Sequence, residues 1–349
     1  MDRTILRPLL ALLALLSLTL PSRAEERRLD PIHIDLEARG SYHLDYVAGT
    51  LDEGRTGFRG DIFNFIMWGE LAPRLEYKAR VRLNGINSDY SFFDATDWLY
   101  LSYKLTDRLS ILAGKWTIYV AGWEPELAPI DCFQLSVFLY HIPCYAWGVT
   151  GFYTLPGEKD TLGAQLCESP FRREWQQKSG TPASMYAYNF FWEGSHGWYD
   201  PLWSANVIEY QPGKFINYLY LGNRFNIGSK TELDIDLGNR ATFGQKPFFF
   251  SDYSLTARLK YYPSDYLKLI LRAGYDTNKS GLDADYMVTD GTEISQVGCG
   301  VEYFPYGDNR LRLHGNIGYA FGTNTHPEAE VLDRKMLLDV GLTWRIHAK

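Results

Sequence analysis

The sequence predicts an all-β protein: a transmembrane antiparallel β-barrel of about 16 strands with a constriction loop folded in after strand 5. Three observations predict it. Apolar and polar residues alternate with period two through most of the chain, connections alternate between short and long, and aromatic residues make up 15% of 349, with 25 Tyr and 10 Trp. Period two is the mark of a strand with one wet face. A Tyr and Trp excess fits the interfacial girdles of a membrane barrel.

The chain opens with Arg3 and Arg7, an apolar run over 9–20, and Pro21-Ser-Arg-Ala24. This is the charged start, apolar core and small-residue exit of a secretory signal, which divides the chain into a signal peptide over 1–24 and a barrel over 25–349. The apolar run falls short of the ~20 residues that a spanning helix needs, and no later stretch reaches that length. No Cys follows the run, against a lipoprotein start. Losing Arg3, Arg7, Arg23 and Asp2 takes the net charge from -7 to -9, with 32 basic against 41 acidic residues. That balance argues against nucleic acid as a partner.

Strand one, residues 32–46, alternates strictly over about 15 residues, long for a globular strand and right for a tilted crossing strand. The same pattern recurs over 58–70, 75–84, 97–105, 109–117, 145–153, 161–167, 185–192, 202–210, 215–225, 231–238, 251–261, 266–276, 293–304, 310–321 and 336–346. Alternation is mixed over 161–167, 185–192 and 215–225. Tight turns are expected at 72–74, 106–107, 156–158, 227–229, 263–264 and 305–308, and long links at 47–57, 85–96, 118–144, 168–184, 239–250, 277–292 and 322–335. Short turns at one end and long loops at the other describe an outer-membrane barrel. One pair breaks the rule: 193–201 is long where a turn is due, and Gln211-Pro-Gly213 is short where a loop is due.

Where the phase is clear, the two faces have opposite chemistry. Leu75, Tyr77, Ala79, Val81 and Leu83 form one face and Glu76, Lys78, Arg80 and Arg82 the other; later, Leu267, Leu269, Leu271, Ala273 and Tyr275 alternate with Lys268, Arg272 and Asp276. The apolar faces are expected to meet lipid. Lys78, Arg80, Arg82, Arg258, Lys260, Lys268, Arg272 and Arg312 are then pore-lining, together with Asp35, Glu37, Glu232, Asp234 and Asp236. So many charges in a dry interior would carry large desolvation penalties, so the lumen is expected to hold water.

The stretch 118–144 is neither strand nor good helix, since Pro125, Pro129 and Pro143 interrupt it. It carries Glu124, Glu126 and Asp131 in its first half and an apolar centre over 133–139. Phe133, Leu135, Val137 and Phe138 would leave an apolar patch in water unless they packed on the inner wall. Its acids are expected to face Arg80 and Arg82 across the pore, giving a transverse field. The alternatives are a cap outside the barrel or a contact with a neighbouring subunit.

Cys132 and Cys144 are candidates for a disulfide at the base of this insert, worth about 3 kcal/mol in the chain-entropy model. With His141 they form an alternative metal set, but the spacing matches no standard zinc pattern, and no metal or cofactor is expected. Cys299 shares the phase of Val297 and Val301 and is expected to face lipid. No Gly-x-Ser-x-Gly, His-Glu-x-x-His or P-loop pattern occurs, against an enzyme.

Ala113-Gly-Lys-Trp116, Ala121-Gly-Trp-Glu124, Ala128-Pro-Ile-Asp131 and Ile142-Pro-Cys-Tyr-Ala-Trp-Gly-Val149 resemble the central segment of bacterial outer-membrane porins of the phosphate-selective O and P type, as does Phe58-Arg-Gly-Asp61. The resemblance implies a sixteen-stranded porin in the outer membrane of a Gram-negative bacterium, a homotrimer, with the loop after strand five in the pore. A phosphate channel would need a stacked run of Arg and Lys, whereas basic and acidic lining residues here are roughly balanced. The chain ends Trp344-Arg-Ile-His-Ala-Lys349 rather than on an aromatic, with Trp344 and Ile346 in the apolar phase. The expected function is passive diffusion of ions and small hydrophilic solutes, weakly selective. The alternatives are a solute-specific channel, for phosphate or another anion held by Arg80 and Arg82, and a surface-binding barrel without conductance.

Overall fold

The computed structural model describes residues 29–86, 91–282 and 287–348; the expected signal peptide lies outside them. Sixteen long strands and a two-residue extension at Thr50–Leu51 make one 17-stranded antiparallel sheet among the described residues. The strands are β1 (His33–Val47), β2 (Gly57–Ala72), β3 (Leu75–Arg82), β4 (Thr96–Lys104), β5 (Leu109–Thr117), β6 (Tyr145–Thr154), β7 (Asp160–Glu168) and β8 (Tyr186–Gly194). They continue as β9 (Tyr199–Gln211), β10 (Lys214–Ile227), β11 (Thr231–Thr242), β12 (Asp252–Ser264), β13 (Leu267–Asn278), β14 (Glu293–Tyr303), β15 (Leu311–Thr323) and β16 (Lys335–His347).

β1 pairs with β2 on one side and, from Asp35↔His347 to Val47↔Lys335, with β16 on the other, so the sheet closes and, among the described residues, no edge strand is left. Every link at one end is short, including 195–198, which sequence reading overextended: β8 runs on to Gly194 and β9 begins at Tyr199. Pro212 and Gly213 alone join β9 to β10 at the other end, where the remaining links are long.

The pairing fixes the faces. Leu99, Leu101, Leu166, Phe190, Leu255, Leu271, Val297 and Val340 are exposed on the outside, and Cys299, paired with Leu271 and Ile317, joins them. Exposed Tyr153, Tyr261, Tyr266 and Tyr303 gather near the short turns, and Trp147, Tyr186 and Phe321 near the long loops. An apolar band between two aromatic belts is the outer surface of a membrane barrel.

Candidate functional site

Segment 118–144 lies against the inner wall. A backbone bond from Ile118 N–H to the Cys144 carbonyl, 2.9 Å, closes its base. The chain then walks around the lumen from strand to strand. Tyr119 N–H donates to Gln165 Oε1 (2.8 Å) on β7 and Ala121 N–H to Ser204 Oγ (3.0 Å) on β9. Trp123 and Glu124 N–H both donate to the Asp236 carboxylate of β11, at 3.0 and 2.6 Å. Val137 N–H reaches Asp276 Oδ2 on β13 (3.0 Å), and Gln296 of β14 donates to the Leu135 carbonyl (3.1 Å). Arg312 of β15 and Arg345 of β16 donate to Asp131 Oδ1 at 2.6 and 3.1 Å, while Arg39 of β1 donates to the Ile130 and Cys132 carbonyls at 3.0 and 2.8 Å.

Such a path needs room. An added Cβ on Gly222 of β10 would stand 2.7 Å from the Gly122 Cα, and one on Gly298 or Gly318 would strike the Gln134 side chain. The apolar centre behaves as expected: Val137 and Phe138, in helix α1 (Val137–His141), are 0% exposed, each worth roughly 1.5–3 kcal/mol of burial. They pack on Ile208, Ile216, Tyr218 and Tyr220 of β9 and β10, with Phe171, Met185, Val288 and Val331 from long loops completing the cluster.

The loop's acids are tied down instead of facing Arg80 and Arg82. Glu124 is 5% exposed and paired with Arg272; Asp131 holds Arg312 and Arg345. Burial works to raise the Asp131 pKa, and the two guanidinium groups outweigh it and hold it below the usual range. Arg80, 2% exposed, pairs with Asp97 at 3.1 Å and stacks 3.6 Å over Trp98. Arg82 shares Asp97 at 3.2 Å, and Lys78 lies 4.7 Å over the same indole. The acids of the loop and the arginines of β3 therefore do not face one another as partners: Glu124 and Asp131 hold Arg272, Arg312 and Arg345, while Arg80 and Arg82 share the single Asp97 carboxylate. Glu126 differs: it is exposed, and partial desolvation by the wall around it, with the Glu193 carboxylate adding to it, pushes its pKa up to about 7.

A cavity of about 470 Å³ lies beside the loop, lined by Glu126, Asp131, Arg224, Arg258, Lys260, Lys268, Arg272, Glu302 and Arg312. Its cations are paired: Arg224 and Arg258 with Asp234 (2.7 and 2.8 Å), Lys260 with Glu232 (2.5 Å), Lys268 with Glu302 (2.9 Å). Asp97, Arg39, Arg224 and Arg345 take part without having been singled out from the sequence, whereas Asp276 lies on the inward face as its phase predicts. Strand phase would have placed Arg39, Arg224 and Arg345 on the inner face; Asp97 shares the phase of the outward Leu99 and Leu101 and is turned inward by the slip between Arg80↔Trp98 and Val81↔Thr96.

Cys132, Cys144, Cys167 and Cys299 are all free thiols, so the expected bridge between Cys132 and Cys144 is not formed. Cys132 Sγ points to the Ala128 carbonyl (3.4 Å) and Cys144 Sγ to that of Ile142 (3.5 Å). The backbone bond between Ile118 and Cys144 closes the loop instead.

A closed sixteen-stranded barrel with an apolar exterior, a charged interior and a long loop laid along the inner wall has the fold of the outer-membrane porins. Solved structures like it include the anion-selective porin from Comamonas acidovorans (TM-score 0.63, 10% identity, covering 90% of this chain and 99% of that one). The outer membrane channel DcaP of Acinetobacter baumannii gives 0.60 at 12% identity, covering 94% and 100%. OmpT, an outer membrane protein of Vibrio cholerae, gives 0.60 at 12%, covering 93% and 100%. No protein-family model and no curated protein matches the chain.

Proposed function

We propose that this chain, exported with cleavage after Ala24, is an outer-membrane porin of a Gram-negative bacterium through which ions and small hydrophilic solutes diffuse. One observation carries the reading: an inner wall crowded with ionised side chains enclosed by an apolar outer band. A dry interior would penalise those charges heavily, and water in the lumen removes the penalty. Selectivity is weak, because the cations around the cavity are matched by carboxylates and the net field is small. The segment 118–144 narrows the passage, and a homotrimer is the assembly in keeping with the resemblance to the O and P porins.

The second reading is an anion-specific channel, phosphate included. The six cations around the cavity favour it, as does the name of the Comamonas porin. Reversal potentials in a KCl gradient separate the readings: values near zero, unchanged by phosphate, support the weakly selective channel. Strong anion preference with saturable block by phosphate supports the second, and absence of conductance points to a surface-binding barrel.

A further inference from the structure

Where β1 closes on β2 and β16, we infer that His43, Asp61 and Asp339 bind a divalent transition-metal cation of the Zn2+ type. Their donor atoms all lie within 4.8 Å of one another. His43 Nε2 stands 3.1 Å from Asp61 Oδ1 and 3.1 Å from Asp339 Oδ2. One imidazole nitrogen carries at most one hydrogen, so it cannot donate fully to both carboxylates. A cation between them satisfies all three. Bonds of about 2.0–2.2 Å, usual for Zn2+ with imidazole and carboxylate, set neighbouring donors about 3.0–3.5 Å apart.

The fold aims Asp61 there. The pairing of β1 with β2 slips between Arg39↔Ile62 and Gly40↔Gly60, leaving Asp61 as the extra residue of a bulge. Its carboxylate turns to the inner face, against Ser41 Oγ and His43, with Arg39 Nε at 3.4 Å. Bulges commonly re-aim a side chain in this way.

An independent observation is the ring of His314. Its side chain is 0% exposed and Nε2 pairs with Asp339 Oδ1 at 2.9 Å, an oxygen that also accepts from Asn316 Nδ2 at 3.2 Å. A buried imidazole against the second oxygen of a candidate ligand fixes that carboxylate's orientation, as groups around metal ligands commonly do. One or two imidazoles with two carboxylates favour Zn2+, Co2+ or Ni2+ over Ca2+ or Mg2+, which prefer all-oxygen sites. Arg39 also holds the Ile130 and Cys132 carbonyls, and Phe133 packs 4.5 Å from His314, so the site abuts the anchored end of the inner loop.

The test is a Co2+ titration of the untagged, folded barrel in detergent, followed by visible absorption and competed with Zn2+. We expect ligand-field bands that saturate at one Co2+ per chain and are abolished by Zn2+. His43→Gln and Asp61→Asn should each weaken binding at least tenfold, while His347→Ala, at the separate His347–Asp35 pair, leaves it unchanged. Heat-modifiable migration on a gel confirms that each variant is folded, and Asp339→Asn substitutes for one that is not. Absence of a saturable band in the native barrel overturns the inference, as does equal affinity in folded His43→Gln and Asp61→Asn.

Discussion

At Gly222 the inner loop meets the wall backbone to backbone, and the missing side chain is what allows it. A Cβ there would lie 2.7 Å from the Gly122 Cα and 2.9 Å from the Leu202 carbonyl, both backbone atoms that cannot swing aside. Gly222→Val should therefore lift the loop, giving a larger and noisier single-channel current with an unchanged β-type circular dichroism spectrum. Glu126 supplies a pH dependence. Its folded pKa of about 7 lies above the ordinary 4.5, so it is neutral below that pH and ionises as pH rises through it. Cation permeability relative to anion should rise between pH 6 and 8, and Glu126→Gln should remove that rise. At this scale the alternation of the sequence is informative about faces and silent about partners. It puts Arg80 inside, but the choice of Asp97 depends on how β3 and β4 align and on the loop's path elsewhere. The cysteines make the same point, since two thiols close in sequence still point to different carbonyls. Mobility on a denaturing gel should be the same with and without reductant.

The inner loop is the element on which the lumen depends, and Asp131 is its double tether. Asp131→Asn weakens contacts to Arg312 and Arg345; charged hydrogen bonds of this kind are worth about 1.5–3 kcal/mol each. Arg345 keeps Glu37 at 2.9 Å, so the barrel should stay folded while the loop loosens, read as increased current noise and faster cleavage within 118–144 by added protease. Strands β7, β8 and β10 are where alternation is mixed, and the structure explains why. Cys167, Ala187, Phe191, Ile216, Tyr218 and Tyr220 face inward but lie buried beneath the loop cluster, so both faces of those strands are partly apolar. Helix α2 (Arg172–Ser179) was legible but not read from the sequence: Glu174 and Lys178 pair at i,i+4, 3.1 Å, and Gly180 ends it with φ +66°.

At the scale of the whole molecule, the sixteen strands and their alternation of short and long links were legible because a membrane barrel must satisfy every backbone group within the sheet and turn its apolar residues outward. The loop's route was not, since it rests on single contacts with strands far apart in sequence, such as Asp131 with Arg312 and Arg345. The account rests on a water-filled passage narrowed from inside by this loop. Planar-bilayer recording of the purified protein beside a variant lacking residues 125–138 tests it most directly. The native chain should give discrete conductance steps, and the variant, folded by its heat-modifiable migration, clearly larger ones. No steps from the folded native barrel, or steps of the same size from both, would contradict it.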